Sequence, residues 1–322
     1  MQPQSARGER PGRGASVSRS ALSGVYAAAV TPLAVDGSPD LGAIAPFLGF
    51  LASAGCHGVL LLGTTGEGPS FSPTERESLW RAALKVREEH PDLRLLAGTG
   101  TPSLSESIDL TRLAFDLGFD GVVTVPPYYF RNATDAGLFE WFRQLIVSAV
   151  PRDGFLLGYH FPGVAGIGFS LDLLSRLRDA FPVQFAGIKD SSHDREFAQA
   201  LGERFTSDLS VFTGTDSLLS WALRNHAAGC ITAPANLISP ALREIYDLLT
   251  AGKDATDVQA RVSRDRRILE EYLPFPPSLK ALLHRLHGFP AWHVRPPLLD
   301  LPQDTEDRLV STFQSHSGIR DL

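Results

Sequence analysis

From residue 24 onward, short apolar runs alternate along the chain with longer segments in which apolar residues recur at helical spacing. Short apolar runs are typical of buried strands, and a helical period is typical of amphipathic helices. The alternation therefore predicts repeated βαβ units and a parallel sheet. The predicted strands are Gly24–Val30, Gly58–Leu62, Leu95–Gly98, Gly121–Val125, Phe155–Tyr159, Phe185–Lys189, Leu209–Thr213 and Gly229–Ala233. The predicted helices between them lie near 41–54, 73–90, 103–118, 135–149, 170–181, 193–205 and 216–227.

The number of strands predicts the fold class. Eight strands within about 210 residues favour an α/β fold of the (β/α)8 TIM-barrel type over an open doubly wound sheet, which is the alternative. We assign the barrel to residues 23–235. Residues 236–322 contain more helical segments than the last barrel helix requires, near 239–251, 254–272 and 277–287. They predict an appended C-terminal helical region packed on the barrel. Residues 1–22 are rich in Arg, Ser and Gly and lack apolar periodicity, which predicts a disordered N-terminal tail.

Composition narrows the possible functions. Of the 322 residues, 43% are hydrophobic, which is enough for a large core, and the formal net charge is -6. An acidic chain is a poor candidate for binding nucleic acid or a membrane surface. No apolar run approaches the ~20 residues of a membrane-spanning helix. The two cysteines, Cys56 and Cys230, give no disulfide framework, so we expect a cytoplasmic protein.

The sixth predicted strand is apolar and ends in a lysine, Lys189. If Lys189 points into a barrel, strict alternation places Gly187 and Phe185 on the same inner face, with Ala186 and Ile188 facing the outer helices. Gly187 would then leave room for the lysine stem. A lysine removed from water in such a site can attack a carbonyl as the free amine. The more common alternative is a lysine at a strand end whose amine reaches into solvent.

The fifth predicted strand ends in a tyrosine, Tyr159, and its inner face would also carry Leu157 and Phe155. Neighbouring strands lie roughly 4.8 Å apart. Because both strands are predicted to have the same length, the phenol of Tyr159 is expected beside the amine of Lys189. A hydroxyl placed there can carry protons during imine formation.

Two loops after predicted strands have unusual composition. Residues 63–68 read GTTGEG, and consecutive backbone N–H groups in a glycine-rich turn can bind an anion. A tight βα turn without a ligand is an equally good interpretation. Residues 125–130 read VPPYYF, and the three aromatic side chains fit either core packing or a subunit contact.

The nine histidines show no spacing typical of metal ligands. His284, His287 and His293 are close in sequence, but no carboxylate completes a helical motif such as HExxH. We therefore predict neither a metal site nor a cofactor.

Taken together, the motifs resemble a known family. They are GTTGEG at 63–68, VPPYY at 125–129, Tyr159 followed by Pro162, GIKDSS at 187–192, GTD at 214–216 and GCITAPAN at 229–236. Each is weak alone, but in this order and spacing they are similar to the dihydrodipicolinate synthase/N-acetylneuraminate lyase family of class I aldolases. The resemblance covers about residues 22–310 and implies a (β/α)8 barrel with C-terminal helices.

The resemblance implies four catalytic residues. Lys189 matches the lysine that forms a Schiff base with pyruvate, and Tyr159 matches the phenol that relays protons. Thr64 matches the hydroxyl that links this phenol to a second tyrosine. That second tyrosine matches Tyr129, which in the family reaches into a neighbouring subunit of a tetramer built as a dimer of dimers.

The resemblance also implies the substrate-binding residues. Gly63 and Thr65 are both expected to bind substrate, and Thr65 matches the residue that binds the pyruvyl carboxylate. Ile231 matches a residue whose backbone carbonyl lines the pocket. Val164 departs from the pattern, because members that make the lysine-pathway heterocycle have an arginine there for the second substrate's carboxylate. An arginine from another loop, such as Arg131, could replace it.

The expected function is therefore that of a class I lyase. It would join a 2-oxo acid and an aldehyde into a 4-hydroxy-2-oxo acid, or cleave such an acid into those two compounds. Without an arginine at Val164, we expect a second substrate with a less acidic or apolar end. One alternative is 4-hydroxy-tetrahydrodipicolinate synthase, which joins pyruvate and aspartate semialdehyde. Another is a non-catalytic relative that only binds 2-oxo acids, although binding alone would not need the proton relay.

Overall fold

The computed structural model describes residues 22–206 and 208–316. Eight parallel strands form a closed barrel in chain order, because β1 pairs with both β2 and β8. This confirms the predicted (β/α)8 barrel and excludes the open sheet. The strands are β1 Gly24–Ala28, β2 Gly58–Leu61, β3 Arg94–Gly98, β4 Gly121–Thr124, β5 Phe155–His160, β6 Phe185–Asp190, β7 Ser210–Thr213 and β8 Gly229–Thr232.

Helices cover the outside of the barrel and extend beyond β8. They are α1 Leu41–Ser53, α2 Pro73–Ala83, α3 Leu104–Leu117, α4 Asp135–Ala149, α5 Pro162–Ala165, α6 Leu171–Ala180, α7 Arg195–Phe205, α8 Leu219–Arg224, α9 Ala235–Thr250, α10 Thr256–Glu270, α11 Phe275–His287 and α12 Gln303–His316. Serine caps start three of them. Ser72 forms a capping box with Glu75, and Ser103 and Ser170 accept backbone N–H groups of the first turns of α3 and α6.

The strands are buried on both faces, which explains why they read as continuous apolar runs. One apolar cluster fills the barrel and includes Tyr26, Leu157 and Phe212. A larger cluster lies between the strands and the helices, and it includes Val59 and Phe142. The barrel interior is therefore a packed core and not an open channel.

The inner face of β6 differs from the prediction. Leu156 pairs with Phe185 but Leu157 pairs with Gly187, so Ala186 is an extra residue in a β-bulge. Phe185 therefore packs outside the barrel and Ala186 lies inside it, the reverse of the prediction from strict alternation.

Gly187 is required for a reason different from the predicted one. A Cβ atom at this position would lie 2.1 Å from the carbonyl oxygen of Ser210 on β7. The glycine thus permits close pairing with the neighbouring strand, and room for the lysine stem is not needed to explain it.

The C-terminal region begins with α9, which packs against β1 and so completes the ring of barrel helices. The predicted division at residue 235 lies at the start of this helix, which also packs on α10 and α11 and so joins the barrel to the C-terminal helices. The last helix, α12, was not among the predicted elements, and it packs on α10 and α11. None of the helices in the described ranges is long and apolar enough to span a lipid bilayer.

The predicted N-terminal tail lies almost entirely outside the described residues, which begin at Leu22. Leu22 itself is buried in the cluster that fills the barrel. The described chain thus starts inside the fold and leads directly into β1.

A buried ion pair joins the C-terminal region to the loop after β2. The carboxylate of Glu67 and the amine of Lys280 on α11 form an ion pair, with 0% and 1% of their side chains exposed. The backbone N–H of Arg295 donates to the second carboxylate oxygen of Glu67. Burial lowers the pKa of Lys280, although the charge of Glu67 opposes that effect. Residues more than 200 positions apart in sequence are thereby fixed together.

Removing the amine of this pair should strongly destabilise the protein. We expect Lys280→Met to lower the free energy of unfolding by about 3–5 kcal/mol, because the Glu67 carboxylate would stay buried without its partner. Urea denaturation followed by circular dichroism measures this. Lys253→Met, at an exposed lysine, is the control. Glu67→Gln combined with Lys280→Met should recover part of the loss, and a Lys280→Met variant as stable as the control would contradict this role.

Candidate active site

A cavity of about 610 Å³ opens at the C-terminal ends of the strands. Its walls come from the ends of β5, β6 and β8, from the loops after β2, β5, β6, β7 and β8, and from the segment that ends α10 and begins α11. This is the end of the barrel where parallel strands present their terminal side chains together. Lys189, Tyr159 and Thr64 all line the cavity.

Lys189 and Tyr159 are register partners on β6 and β5, as their positions at the strand ends predicted. Only 4% of Lys189 and 7% of Tyr159 are exposed. The Lys189 amine lies 4.2 Å from the centroid of the Tyr159 ring. Within the described part of the chain, this amine has no hydrogen bond and no ion pair. The structure thus holds an uncompensated amine against an aromatic face, pointing into a cavity.

The hydroxyl of Tyr159 lies 3.4 Å from the Oγ1 atom of Thr64 on the loop after β2. Either atom can be the donor, and the separation is that of a weak hydrogen bond. The phenol therefore has a partner that can take up or return a proton, as a proton relay requires.

The loop after β2 offers backbone donors next to this pair. The N–H groups of Thr64 and Thr65 have no acceptor among the described residues, and Thr65 lines the cavity. The loop is so compact that only glycine fits at position 68, because a Cβ atom there would lie 2.0 Å from the Leu62 carbonyl oxygen. Gly63 accepts the N–H of Gly68 at the base of the loop and does not itself line the cavity. Adjacent free N–H groups of this kind can bind a carboxylate.

The remaining predicted residues are distributed differently. Ile231 lines the cavity from β8 and is fully buried. Val164 lines it from α5, with 58% of the residue exposed. Tyr129 does not line the cavity; it is 76% exposed and packs edge-on against Phe130. A single chain therefore leaves Tyr129 away from the hydroxyls of Thr64 and Tyr159.

Burial also shifts the pKa values of His160 and Asp190, the residues that directly follow Tyr159 and Lys189. It lowers the pKa of His160 to about 4 and raises the pKa of Asp190, so the charged form of each is disfavoured. His160 accepts the N–H of Phe169 and stacks on Phe197, outside the barrel. Neither side chain is directed toward the cavity that Lys189 lines.

Sequence reasoning missed two charged residues of the cavity, Arg266 and Glu270, both on α10. Arg266 lies one turn after Val262 on the buried side of this helix, where a charge is unusual. That pattern was the available signal. The contacts that bring α10 over the barrel mouth join residues far apart in sequence, so the helix pattern alone does not place Arg266 in a site.

Arg266 is neutralised on two sides. Its Nη1 atom lies 2.6 Å from the Oδ1 atom of Asp216, and its Nε atom donates to Glu270 over 2.7 Å. Burial acts to lower the pKa of Arg266, but the charge of Asp216 and the hydrogen bonds to both carboxylates outweigh it and raise that pKa. Thr232 donates to the same Asp216 oxygen.

No group of three or more His, Cys, Asp and Glu side chains in the described ranges is arranged to hold a metal ion. The polar groups that line the cavity are the Lys189 amine, the hydroxyls of Tyr159, Thr64, Thr65 and Ser191, the imidazole of His193, the backbone N–H groups of the loop after β2 and the charged pair on α10.

The chain matches the model of the dihydrodipicolinate synthetase family over residues 21–316. The chain belongs to this family. It is a lyase family, and the match spans the barrel and the C-terminal helices together. The motifs that suggested the resemblance therefore lie in one continuous homologous region.

Relatives within the family are named as lyases and synthases. An "Uncharacterized DapA-like lyase" of Chloroflexus aurantiacus is 36% identical over 292 residues, which cover 90% of this chain and 96% of that protein. A 4-hydroxy-tetrahydrodipicolinate synthase of Prochlorococcus marinus is 30% identical, covering 89% and 93%. The crystal structure of dihydrodipicolinate synthase from Acinetobacter baumannii complexed with pyruvate superposes with a TM-score of 0.82 at 27% identity, covering 92% and 99%.

Proposed function

We propose that the protein is a class I lyase in which Lys189 forms a Schiff base with pyruvate or another 2-oxo acid. The enzyme would then make or cleave a carbon–carbon bond of a 4-hydroxy-2-oxo acid. The observation that carries this proposal is the Lys189 amine, which is buried, unpaired among the described residues and held over the Tyr159 ring at the cavity wall. The family membership and the pyruvate complex of a relative support it.

The first stage joins the 2-oxo acid to the enzyme. The substrate carboxylate accepts hydrogen bonds from the free N–H groups of Thr64 and Thr65. The neutral Lys189 amine attacks the ketone carbon and gives a carbinolamine. Tyr159 passes a proton to the carbinolamine oxygen, so that it leaves as water and the imine forms.

The second stage forms the new bond. Loss of a proton from the carbon next to the imine gives an enamine, whose terminal carbon attacks the aldehyde carbon. The aldehyde oxygen takes up a proton and becomes the 4-hydroxyl group. Water then hydrolyses the imine and releases the 4-hydroxy-2-oxo acid and the Lys189 amine. The same steps in reverse cleave that acid to a 2-oxo acid and an aldehyde.

The synthase reaction with aspartate semialdehyde is the second candidate, favoured by the named synthases among the relatives. The cavity argues against it. Val164 presents an aliphatic side chain, and a carboxylate entering the cavity needs a charged or strong donor to offset its lost hydration. Arg131 packs beside Gly166 but does not line the cavity, and Arg266 is already paired with two carboxylates.

Tyr129 supports a proposal about assembly. Its 76% exposure, with Phe130 at 69%, leaves an apolar aromatic pair on the surface near the cavity side of the barrel. We propose that Tyr129 enters the cavity of a second copy in a homotetramer, where its hydroxyl would reach Thr64 of that copy.

Covalent capture tests the central proposal. Treatment with pyruvate and then borohydride should reduce the imine and leave a 1-carboxyethyl group, the reduced form of the bound pyruvate, on Lys189 alone, as read by intact mass and peptide mapping. The chain has four lysines, Lys85, Lys189, Lys253 and Lys280, so the assignment is direct. Lys189→Arg should abolish capture, because a guanidinium stays protonated. An unmodified protein, or an adduct on one of the other three, would refute the proposal.

Removal of the phenol hydroxyl tests the relay. We expect Tyr159→Phe to lower turnover by about 10²- to 10⁴-fold with the fold intact, since only a proton-transferring group is lost. Steady-state pyruvate release or consumption measures this. Tyr246→Phe, on α9 and away from the cavity, is the matched control. Turnover of Tyr159→Phe within about twofold of the control would remove Tyr159 from the mechanism.

Mixing two inactive variants tests the shared site. Lys189→Ala and Tyr129→Phe place their lesions in different chains, so exchanged subunits should rebuild some intact sites and recover part of the activity. The measurement is turnover before and after subunit exchange, with exchange verified by mass spectrometry. A fully active monomer, or no recovery after verified exchange, is the contrary result.

A further inference from the structure

The charged pair on α10 has no assigned role in the reaction, although it lines the same cavity as Lys189. Lys189 is 4% exposed and marks the buried end of the cavity, whereas 41% of the Glu270 side chain is exposed. A 2-oxo acid bound to Lys189 leaves the open part of the cavity for the second substrate. Glu270 is therefore placed where the aldehyde segment must lie.

One oxygen of Glu270 is available to a ligand. Its Oε1 atom accepts the Nε–H of Arg266 over 2.7 Å, while Oε2 accepts no hydrogen bond from a described residue. The Arg266 side chain is only 5% exposed, so the carboxylate and not the guanidinium is the accessible member of the pair. An ionised carboxylate can only accept hydrogen bonds, and it thus requires a ligand that donates them.

The charge of Glu270 on this wall is only partly cancelled, because Arg266 is shared with the buried Asp216, which lies behind the wall and does not line the cavity. Asp216 and Glu270 together carry two negative charges, and Arg266 carries one positive charge between them. A like charge placed against such a wall is disfavoured. A carboxylate-bearing aldehyde is consequently a poor ligand there, in contrast to one that carries neutral hydroxyl groups.

Apart from the exposed His193, the rest of the open part of the cavity is largely apolar. Phe161 and Val164 form one side, and Leu273 and Phe275 form another. Ligand cavities with apolar walls obtain specificity from a few convergent polar groups. Glu270 is such a group, held in place because Arg266 is fixed in turn by the fully buried Asp216.

We propose that Glu270 determines specificity for the second substrate by accepting hydrogen bonds from its hydroxyl groups, with Arg266 as the positioning residue. The ligand class is a short hydroxylated aldehyde, or the matching segment of a 4-hydroxy-2-oxo acid that carries further hydroxyl groups. This inference rests on the proposed Schiff-base function of Lys189 and deepens it.

The test compares three aldehydes with pyruvate as the common partner: glyceraldehyde, propanal and aspartate semialdehyde. For Glu270→Gln we expect kcat/KM to fall about tenfold with glyceraldehyde, the scale of a lost hydrogen bond to a charged acceptor. It should stay unchanged with propanal and rise with aspartate semialdehyde, since the repelling charge is gone. Glu271→Gln is the matched control, because Glu271 is the next residue, is exposed and does not line the cavity.

Arg266→Lys examines the positioning role. It keeps a positive charge beside Asp216 but loses the Nε–H that holds Glu270, so KM for glyceraldehyde should rise while borohydride capture of pyruvate persists. Equal discrimination by wild type and Glu270→Gln, a uniform loss with all three aldehydes, or a wild type that does not use glyceraldehyde would overturn the assignment. If borohydride does not capture pyruvate on the wild type, the Schiff-base proposal itself is wrong, and this outcome is distinct from a failure of the Glu270 proposal.

Discussion

The register between β5 and β6 is the constraint on which the site depends. Backbone pairing places Tyr159 opposite Lys189 near the ends of two buried strands, and this register directs both side chains into the cavity. The bulge at Ala186 adds one residue below this pair, and the strict pattern resumes above it. A change of one residue in this register would turn the lysine toward the outer helices and leave the cavity without an amine.

The C-terminal region does more than cover the barrel. Through Lys280 and the backbone of Arg295 it fixes Glu67, and Glu67 belongs to the same loop as Thr64 and Thr65. The loop is closed by its own hydrogen bond from Gly68 to Gly63, and the buried ion pair from a distant helix adds to its rigidity. The same region contributes Arg266 and Glu270 to the opposite wall. The end of the cavity that holds Lys189 and Tyr159 is thus built by the barrel, and the opposite wall is built largely by the appended helices.

Much of this could be predicted from residues alone. The alternation of apolar runs and helical periods determines the eight strands, because parallel strands are buried on both faces and helices on one. Lys189 and Tyr159 could be placed at the same height because each ends an apolar run of equal predicted length. The threonines of the loop after β2 could be found because glycines mark a tight turn at a strand end. These are local signals, readable within a few residues.

Tertiary structure decided the rest, for physical reasons. The prediction of strict alternation was wrong at Phe185 because β6 contains a bulge. A bulge depends on how a strand pairs with its neighbour, and the residues of the strand alone do not reveal that pairing. Gly187 is explained by the Ser210 carbonyl oxygen on the next strand. Arg266 and Glu270 join the cavity only because α10 packs across the barrel mouth and Asp216 anchors the guanidinium from 50 residues away. The sequence by itself thus determined the fold and the pairing of Lys189 with Tyr159, and long-range packing decided which side chains of α10 line the same cavity.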